Sequence, residues 1–386
     1  MSLFMESYGD SKVATVQLVD GNCAAGRPWL QMTDLIIDAA ILDGSSVEVL
    51  DAEGGSYGCG IFDRRDPFAA WRRFSFASGV LFDEVYLSDA INEACDRRGE
   101  ESCLRLVHSD ADYLPGLVVE QFDQVLSVTC ETAAVDRSLS VIIEILKERF
   151  QPQEIVILNQ IAVRERFGLG LAVSTVSGNN LKGRWVEMDG VEYRLDWLKP
   201  HKPSVYLDQR EQYQLVASLV EGRCVLDAFS HSGGFALNAC KAGAEHVVAL
   251  DCDEMFVKSI GAHAQRNDCF VETICGDVRE FLAQRKPGEC DCIIMDPPSE
   301  QFTRTEALLS LHEQAFRCLG SGGILATYAR SDHLGMDSFE RTVAEAAARV
   351  GREGRIFART SQPFDFPNLL SCPEINRLKG MILQVE

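Results

Sequence analysis

With 386 residues, the chain has room for two or three domains at roughly 150 residues each. Its composition, 46% apolar and 25% charged, is that of a folded globular protein and excludes a disordered chain, a collagen or a coiled coil. Acids outnumber bases 58 to 37, for a net charge of −21, which excludes a uniformly basic coat for nucleic acid but not a local basic groove.

Positions 1–77 carry short strand signals at Val13–Val19, Val47–Asp51 and Gly58–Phe62, with the turn-forming Gly54-Gly55-Ser56 between the last two. Such punctuation predicts a small β-barrel or sandwich. Positions 78–190 read as an α+β domain. Helical spacing runs over Phe82–Arg98, strands follow at Leu104–Val107, Gly116–Glu120 and Val125–Thr129, an amphipathic helix covers Ala134–Phe150, and a strand lies at Ile155–Leu158. A hairpin is predicted over Val186–Leu195, turning at Asp189-Gly190. Positions 191–386 then alternate. Strands at Arg223–Asp227, His246–Asp251, Thr273–Gly276, Cys292–Met295 and Gly323–Tyr328 are separated by helices near Phe235–Ala242, Glu254–Asn267, Val278–Gln284 and Glu306–Leu319. This is the pattern of an α/β, doubly wound parallel sheet with right-handed crossovers. Arg355–Arg359 and Leu378–Val385 have no helix between them and predict a closing antiparallel pair. All three segments are net acidic, at −5, −9 and −7.

No apolar run approaches the roughly 18 residues of a membrane span, and the first residues lack a basic start followed by an apolar stretch. A cytoplasmic protein with no membrane partner is expected. The fourteen cysteines are scattered through apolar segments and read as small buried hydrophobes rather than a disulfide framework. Cys290 and Cys292 share one face of a strand, but no second Cys/His pair accompanies them, so no metal is expected.

The strongest local signal is Val225-Leu-Asp-Ala-Phe-Ser-His-Ser-Gly-Gly-Phe235, a strand ending near Asp227 that turns through small residues into a helix. Gly233 and Gly234 allow close backbone approach. The dinucleotide pattern G-x-G-x-x-G is absent, and a carboxylate facing a pyrophosphate is repulsive. The same carboxylate suits a cationic ligand such as S-adenosylmethionine, with its ammonium and sulfonium. Further acids sit at the ends of the next strands. Asp251 can accept both ribose hydroxyls of an adenosine. Asp277, beside Val278, can accept the adenine amino hydrogens, and Asp296 opens Asp296-Pro-Pro-Ser299. Four acids at successive carboxyl ends mark the ligand crevice of an open α/β sheet. Upstream, Val205–Glu211 follows a small basic patch, Lys199-Pro-His-Lys-Pro203. Asp208 also fits a helix N-cap, with Glu211 at capping-box spacing.

Together these motifs resemble the class I S-adenosylmethionine-dependent methyltransferases grouped with the bacterial large-subunit ribosomal RNA cytosine-C5 methyltransferase. Arg27-Pro-Trp29 resembles the "HPW" element of that family's N-terminal PUA domain, and Asp112-Tyr-Leu-Pro-Gly-Leu117 its "DGLPGL" turn. Tyr206–Arg210, Phe229–Phe235, Asp296-Pro-Pro298 and Leu378-Lys-Gly380 are similar to its remaining signatures. The resemblance implies a PUA-like β-barrel over 1–77, a central α+β domain over 78–190 and a Rossmann-like methyltransferase domain over 191–386. It implies S-adenosylmethionine as cofactor and RNA, ribosomal RNA in particular, as partner, and leaves a homodimer open. Tyr206, Asp208, Gln209 and Arg210 would lie over the cofactor or target base. Asp227, Phe229, Ser230, Gly233, Asp251, Asp277 and Asp296 would line the pocket, with His231 near the methionine carboxylate.

One departure bears on the chemistry. Carbon 5 of cytosine is not nucleophilic, so its methylation uses a thiolate that adds to carbon 6. Where the cytosine enzymes carry that cysteine, this chain reads Thr327-Tyr-Ala-Arg-Ser331, with Arg330 at the aligned position. Arginine neither attacks nor deprotonates. Cys372 is the nearest substitute in sequence. A ring nitrogen or exocyclic amine needs no thiol, and Asp296 or the backbone at Pro297 would orient it. Nitrogen methylation is therefore the expectation. The alternatives are a small-molecule or protein acceptor, suggested by the acidic surface, and a non-catalytic RNA-binding or assembly protein.

Overall fold

The computed structural model describes residues 13–19, 26–37, 41–198, 205–298, 305–331 and 334–386. The basic patch at 199–203 and Ser299 lie outside them. The chain divides into two compact units, one comprising residues up to Asn180 with Leu369–Cys372, the other Leu181–Asn368 with Pro373–Glu386.

In the first unit, β1 (Ala14–Leu18), β2 (Trp29–Leu30), β3 (Leu35–Ile36), β4 (Ser45–Leu50), β5 (Ser56–Phe62) and β6 (Trp71–Ser75) form a mixed six-stranded sheet in the order β2-β6-β5-β4-β1-β3. A second sheet follows, built with α1 (Glu84–Asp96), β7 (Cys103–His108), β8 (Leu117–Phe122), β9 (Val125–Cys130), α2 (Ala133–Arg137), α3 (Leu139–Phe150), β10 (Glu154–Asn159), α4 (Val163–Arg166) and β11 (Ala172–Thr175). Its order is β11-β10-β9-β8-β7. Asp83 caps α1 by accepting from the Tyr86 N–H, and the helix buries Leu87, Ala90, Ile91, Ala94 and Cys95, an i, i+3, i+4 stripe. The single helix expected over Ala134–Phe150 is two, because the chain leaves helical geometry at Ser138.

Cys59, Ile61 and Phe74 share a buried cluster with Ala134, flanked by Phe82 and Tyr86. Two of the sequence motifs also meet. Trp29 Nε1 donates to Asp110 Oδ1 at 2.8 Å, in the turn that continues into Asp112. Asp112 in turn pairs with Arg98 at 2.5 Å, both side chains being almost fully buried.

The second unit begins with the hairpin β12 (Arg184–Met188) and β13 (Val191–Leu195). A boundary after Gly190 would cut it, since Arg184 pairs with Leu195 and Met188 with Val191; the division falls at 180/181 instead. A 3-10 turn, Leu207–Gln209, leads into α5 (Arg210–Ala217). Then come β14 (Cys224–Ala228), α6 (Gly234–Lys241), β15 (His246–Asp251), α7 (Glu254–Arg266), β16 (Glu272–Cys275), α8 (Val278–Ala283), β17 (Cys290–Met295), α9 (Thr305–Cys318), β18 (Leu319–Arg330), α10 (Met336–Arg349), β19 (Gly354–Ser361) and β20 (Leu378–Val385). The seven-stranded sheet runs β16-β15-β14-β17-β18-β20-β19. The first five strands in that order are parallel, and β20 is antiparallel to both β18 and β19. The sheet is the doubly wound one expected, with the last pair antiparallel. Helix α10 was not anticipated, and a register shift separates Cys290 from Cys292 in β17. The chain grows outward in one direction from β14 and in the other from β17. The switch point, where such sheets bind ligands, therefore lies at the carboxyl ends of these two strands.

The Leu378-Lys-Gly380 motif has a packing reason. A Cβ at Gly380 would lie 2.6 Å from the ring of Tyr328 on β18, so only glycine admits that ring. Lys379 Nζ donates to the carbonyls of Ser331, Asn376 and Arg377, at 2.7, 2.6 and 3.3 Å, and fastens the chain just beyond Arg330.

Candidate active site

The loop from β14 to α6 is the tightest turn at the switch point. Phe229, His231 and Gly233 all adopt positive φ, at 64°, 48° and 82°. Left-handed geometry is strained for the first two, and hydrogen bonds hold it. Ser230 N–H donates to Leu250 O at 3.0 Å, Gly233 N–H to Ser230 O at 2.7 Å, and His231 N–H to Asp251 Oδ2 at 2.8 Å. Gly234 opens α6 beneath Tyr213, where a Cβ would fall 2.4 Å from the tyrosine ring.

His263 joins this loop to the hairpin. Its Nε2 lies 3.0 Å from the Arg194 N–H and its Nδ1 3.1 Å from Ser232 O, so the neutral ring accepts at the first and donates at the second. Burial pushes its pKa down, consistent with the neutral form. Sequence reasoning missed this residue. Its spacing within α7 resembles any buried helical position, and its partners lie far away in the chain.

The expected acids take distinct places. Asp227 is 1% exposed and accepts from the Ala236 N–H at 3.0 Å, in the first turn of α6. Burial pushes its carboxyl well above the ordinary range, and the nearby charges of Asp296 and Asp251 add to this. Asp251, at the end of β15, is buried and accepts the N–H groups of His231 and Asp253, at 2.8 and 2.9 Å. Asp277 caps α8, and an ion pair with Arg279 at 2.8 Å holds its carboxyl below the usual range. Val278 behind it is buried.

Asp296, following β17, is the centre of a second cluster. Its Oδ1 accepts from Arg330 Nη1 at 2.6 Å and its Oδ2 from Gln209 Nε2 at 3.0 Å. Arg330 also grips Asp208 with two donors, Nε at 2.9 Å and Nη2 at 3.2 Å. The guanidinium lies 4.8 Å over the ring of Tyr206. Burial opposes the arginine's charge, but the two carboxylates outweigh it and raise its pKa well above the ordinary value. Asp208 therefore does not act as the N-cap its spacing would also allow. No side chain caps α5, and Asp208 is turned to Arg330 instead. Tyr206, Asp208, Gln209 and Asp296 are brought together around Arg330. Arg210 is not part of this cluster; its guanidinium is bidentate to Asp189 of the hairpin turn, at 2.7 and 3.1 Å.

His231 links the two clusters. Its ring lies 4.6 Å from Tyr206 and 4.1 Å from Phe256, centroid to centroid. Burial, helped by the charge of Arg330, lowers its pKa to about 4, so it is a neutral flat surface at physiological pH. Cys372, the substitute thiol considered from sequence, is 1% exposed and sits in a tight turn, its N–H donating to Leu369 O at 2.9 Å.

The chemistry of the crevice suits a cationic nucleoside. Asp251 and Asp296 stand at strand ends on either side of the buried Asp227, and Ser230 Oγ is buried with no hydrogen-bond partner among the described residues. An orphaned buried hydroxyl is costly unless a ligand satisfies it. At Gly233 and Gly234 a Cβ would meet Ile260 and Tyr213, so both glycines let the loop pack closely on the protein.

A family model described as S-adenosylmethionine-dependent methyltransferase matches residues 117–379. The chain belongs to this family and is an S-adenosylmethionine-dependent methyltransferase. Among its curated relatives, the ribosomal RNA large subunit methyltransferase I of Aeromonas hydrophila is 30% identical over 396 residues, covering 96% of this chain and 99% of the relative. The enzyme of the same name from Pseudoalteromonas atlantica is 29% identical and covers 89% and 91%. Among solved structures, one described as a SAM-dependent methyltransferase from Streptococcus mutans has a TM-score of 0.83 at 16% identity, over 96% of this chain and 100% of that one. Another, a methyltransferase complexed with SAH, also scores 0.83, at 15% identity over 97% and 100%. At such identities the likeness establishes the fold.

Proposed function

We propose that this enzyme methylates a nitrogen of a base in large-subunit ribosomal RNA. The relatives' printed names support the RNA, and Arg330 supports the nitrogen. It stands at the end of β18, gripped by Asp208 and Asp296, where a carbon-5 mechanism requires a thiol. As an ion-paired carboxylate, Asp296 accepts hydrogen bonds and donates none. That suits an acceptor bearing N–H hydrogens, which it would orient so that a nitrogen lone pair points at the methyl group.

Asp251 would take the ribose hydroxyls, Asp277 and Val278 the adenine edge, and Ser230 with the Phe229–Gly234 loop the amino-acid end. S-adenosylmethionine supplies a methyl carbon made electrophilic by its sulfonium. The chain's own contribution is to hold Asp296 fixed between Gln209 and Arg330, to keep His231 neutral, and to set acceptor and donor in line. In this reading the six-stranded N-terminal sheet is the PUA-like module that engages RNA, and the second sheet is the central domain.

The test is to incubate the enzyme with tritiated cofactor and unmethylated ribosomal RNA, then digest to nucleosides. Label in an N-methylated nucleoside supports the proposal. Label in 5-methylcytidine overturns the nitrogen assignment, and label absent from RNA but present in protein or small molecules overturns the RNA assignment. Asp251→Ala separates cofactor binding from both. It should weaken S-adenosylhomocysteine binding by tenfold or more, about 1.4 kcal/mol, in calorimetry.

A further inference from the structure

Away from the methyl-transfer site, two thiols each contact the backbone beside the other, between α6 and the turn after α7. Cys240 lies in the last turn of α6, and Cys269 precedes β16. Their contacts are reciprocal. Cys240 Sγ donates to the carbonyl of Phe270, the neighbour of Cys269, at 3.7 Å. Cys269 Sγ lies 3.9 Å from the carbonyl of Leu237, one helical turn before Cys240. Both are half-buried free cysteines, within reach of a small reagent yet held in place by the backbone around them.

From this geometry we infer that Cys240 and Cys269 form a reversible disulfide site, a tie that stabilises the methyltransferase unit without switching its cofactor pocket. The oxidant is a low-molecular-weight disulfide such as glutathione disulfide. The Cys240 thiolate attacks one of its sulfurs, forming a mixed disulfide and releasing one glutathione thiolate. The Cys269 thiolate then attacks Sγ of Cys240 and expels the second. Two protons leave the protein, and two electrons pass to the oxidant, which becomes two molecules of glutathione. Burial, with the adjacent Cys240, pushes the Cys269 thiol up to about 12, so closure accelerates in alkali. The tie sits at the end of α6 opposite Gly233 and Gly234, which is why the cofactor loop is left alone.

The experiment incubates the full chain with glutathione disulfide at mildly alkaline pH, followed by alkylation, digestion and mass spectrometry. The expected result is a linked pair of peptides carrying Cys240 and Cys269, lost on treatment with dithiothreitol and absent from Cys240→Ser and Cys269→Ser. The linked protein should melt on the order of 5 °C higher. Its affinity for S-adenosylhomocysteine should stay within about threefold of the reduced form. Mixed disulfides on other cysteines without this link would overturn the site. A lower melting temperature in the linked form would show that the pair is not preformed. A larger change in affinity would make the tie a switch, contrary to the inference.

Discussion

Arg330 carries three hydrogen bonds to two carboxylates, and each of those carboxylates comes from a different part of the chain. Asp208 is separated from it by 122 residues and Asp296 by 34. Asp296 stood out in sequence because it ends an apolar run, whereas the local pattern around Asp208 reads as a helix cap. Their shared partner was not legible. Arg330 drew notice as a residue out of place, but nothing near it in sequence names Asp208, whose spacing to Glu211 imitates a capping box. Removing the guanidinium leaves two facing carboxylates without a cation. Arg330→Met should therefore cost about 2–3 kcal/mol in urea denaturation, below the full penalty of a buried pair because the side chains retain some exposure. Arg330→Lys should recover only part, since a point charge cannot grip two carboxylates as the fork does. A cost near zero for the methionine variant would place the cluster with ordinary surface ion pairs.

At the scale of elements, the strands of the second unit could be read from their Val, Leu and Ile runs. Helix α10 could not, because its buried stripe includes Thr342, Ala346 and Ala347 among only two large apolar residues, Phe339 and Val343. Helix starts depend on contacts that local pattern leaves open. In α6 a Cβ at Gly234 meets the Tyr213 ring, whereas at Gly261 in α7 one meets nothing within 4 Å. Gly234→Ala should destabilise by about 1–3 kcal/mol through overpacking. Gly261→Ala should stabilise by about 0.5–1 kcal/mol through helix propensity. Equal effects in denaturation curves would remove the packing argument. A second element-level contact ties α9 to β18. His312 donates from Nδ1 to Leu308 O at 2.7 Å and accepts at Nε2 from Thr327 Oγ1 at 2.8 Å. Burial lowers its pKa from 6.5 to about 4. Between those values the unfolded chain binds a proton that the folded chain refuses, so stability is lost as the pH falls through this window. His312→Gln should lose less stability than the parent between pH 6.5 and 4.5, by roughly 2–3 kcal/mol, with the share due to His231 unchanged.

On the scale of the whole molecule, a hydrogen-bonded hairpin spans the point where composition changes. The sequence places a boundary after Gly190, where the apolar strands begin to alternate with helices. The hairpin crosses that point, and its second strand is bound on both sides. β12 pairs with one edge of β13, while Asn267 exchanges hydrogen bonds with the backbone of Glu192, at 2.8 and 2.7 Å, and His263 accepts from Arg194. His263 passes this support to Ser232 in the cofactor loop. A fragment beginning at Leu181 keeps the whole arrangement. One beginning at Val191 loses β12, the Asp189 partner of Arg210 and the cover that buried Val186 and Met188 provide. The first should be soluble and gain thermal stability with S-adenosylhomocysteine, by about 2.7 kcal/mol at a hundred times the dissociation constant. The second should show no such gain, because a β13 without its partner cannot hold His263 against the loop. If both fragments respond equally, the hairpin is ornamental to the cofactor site, and the boundary belongs where composition alone would put it.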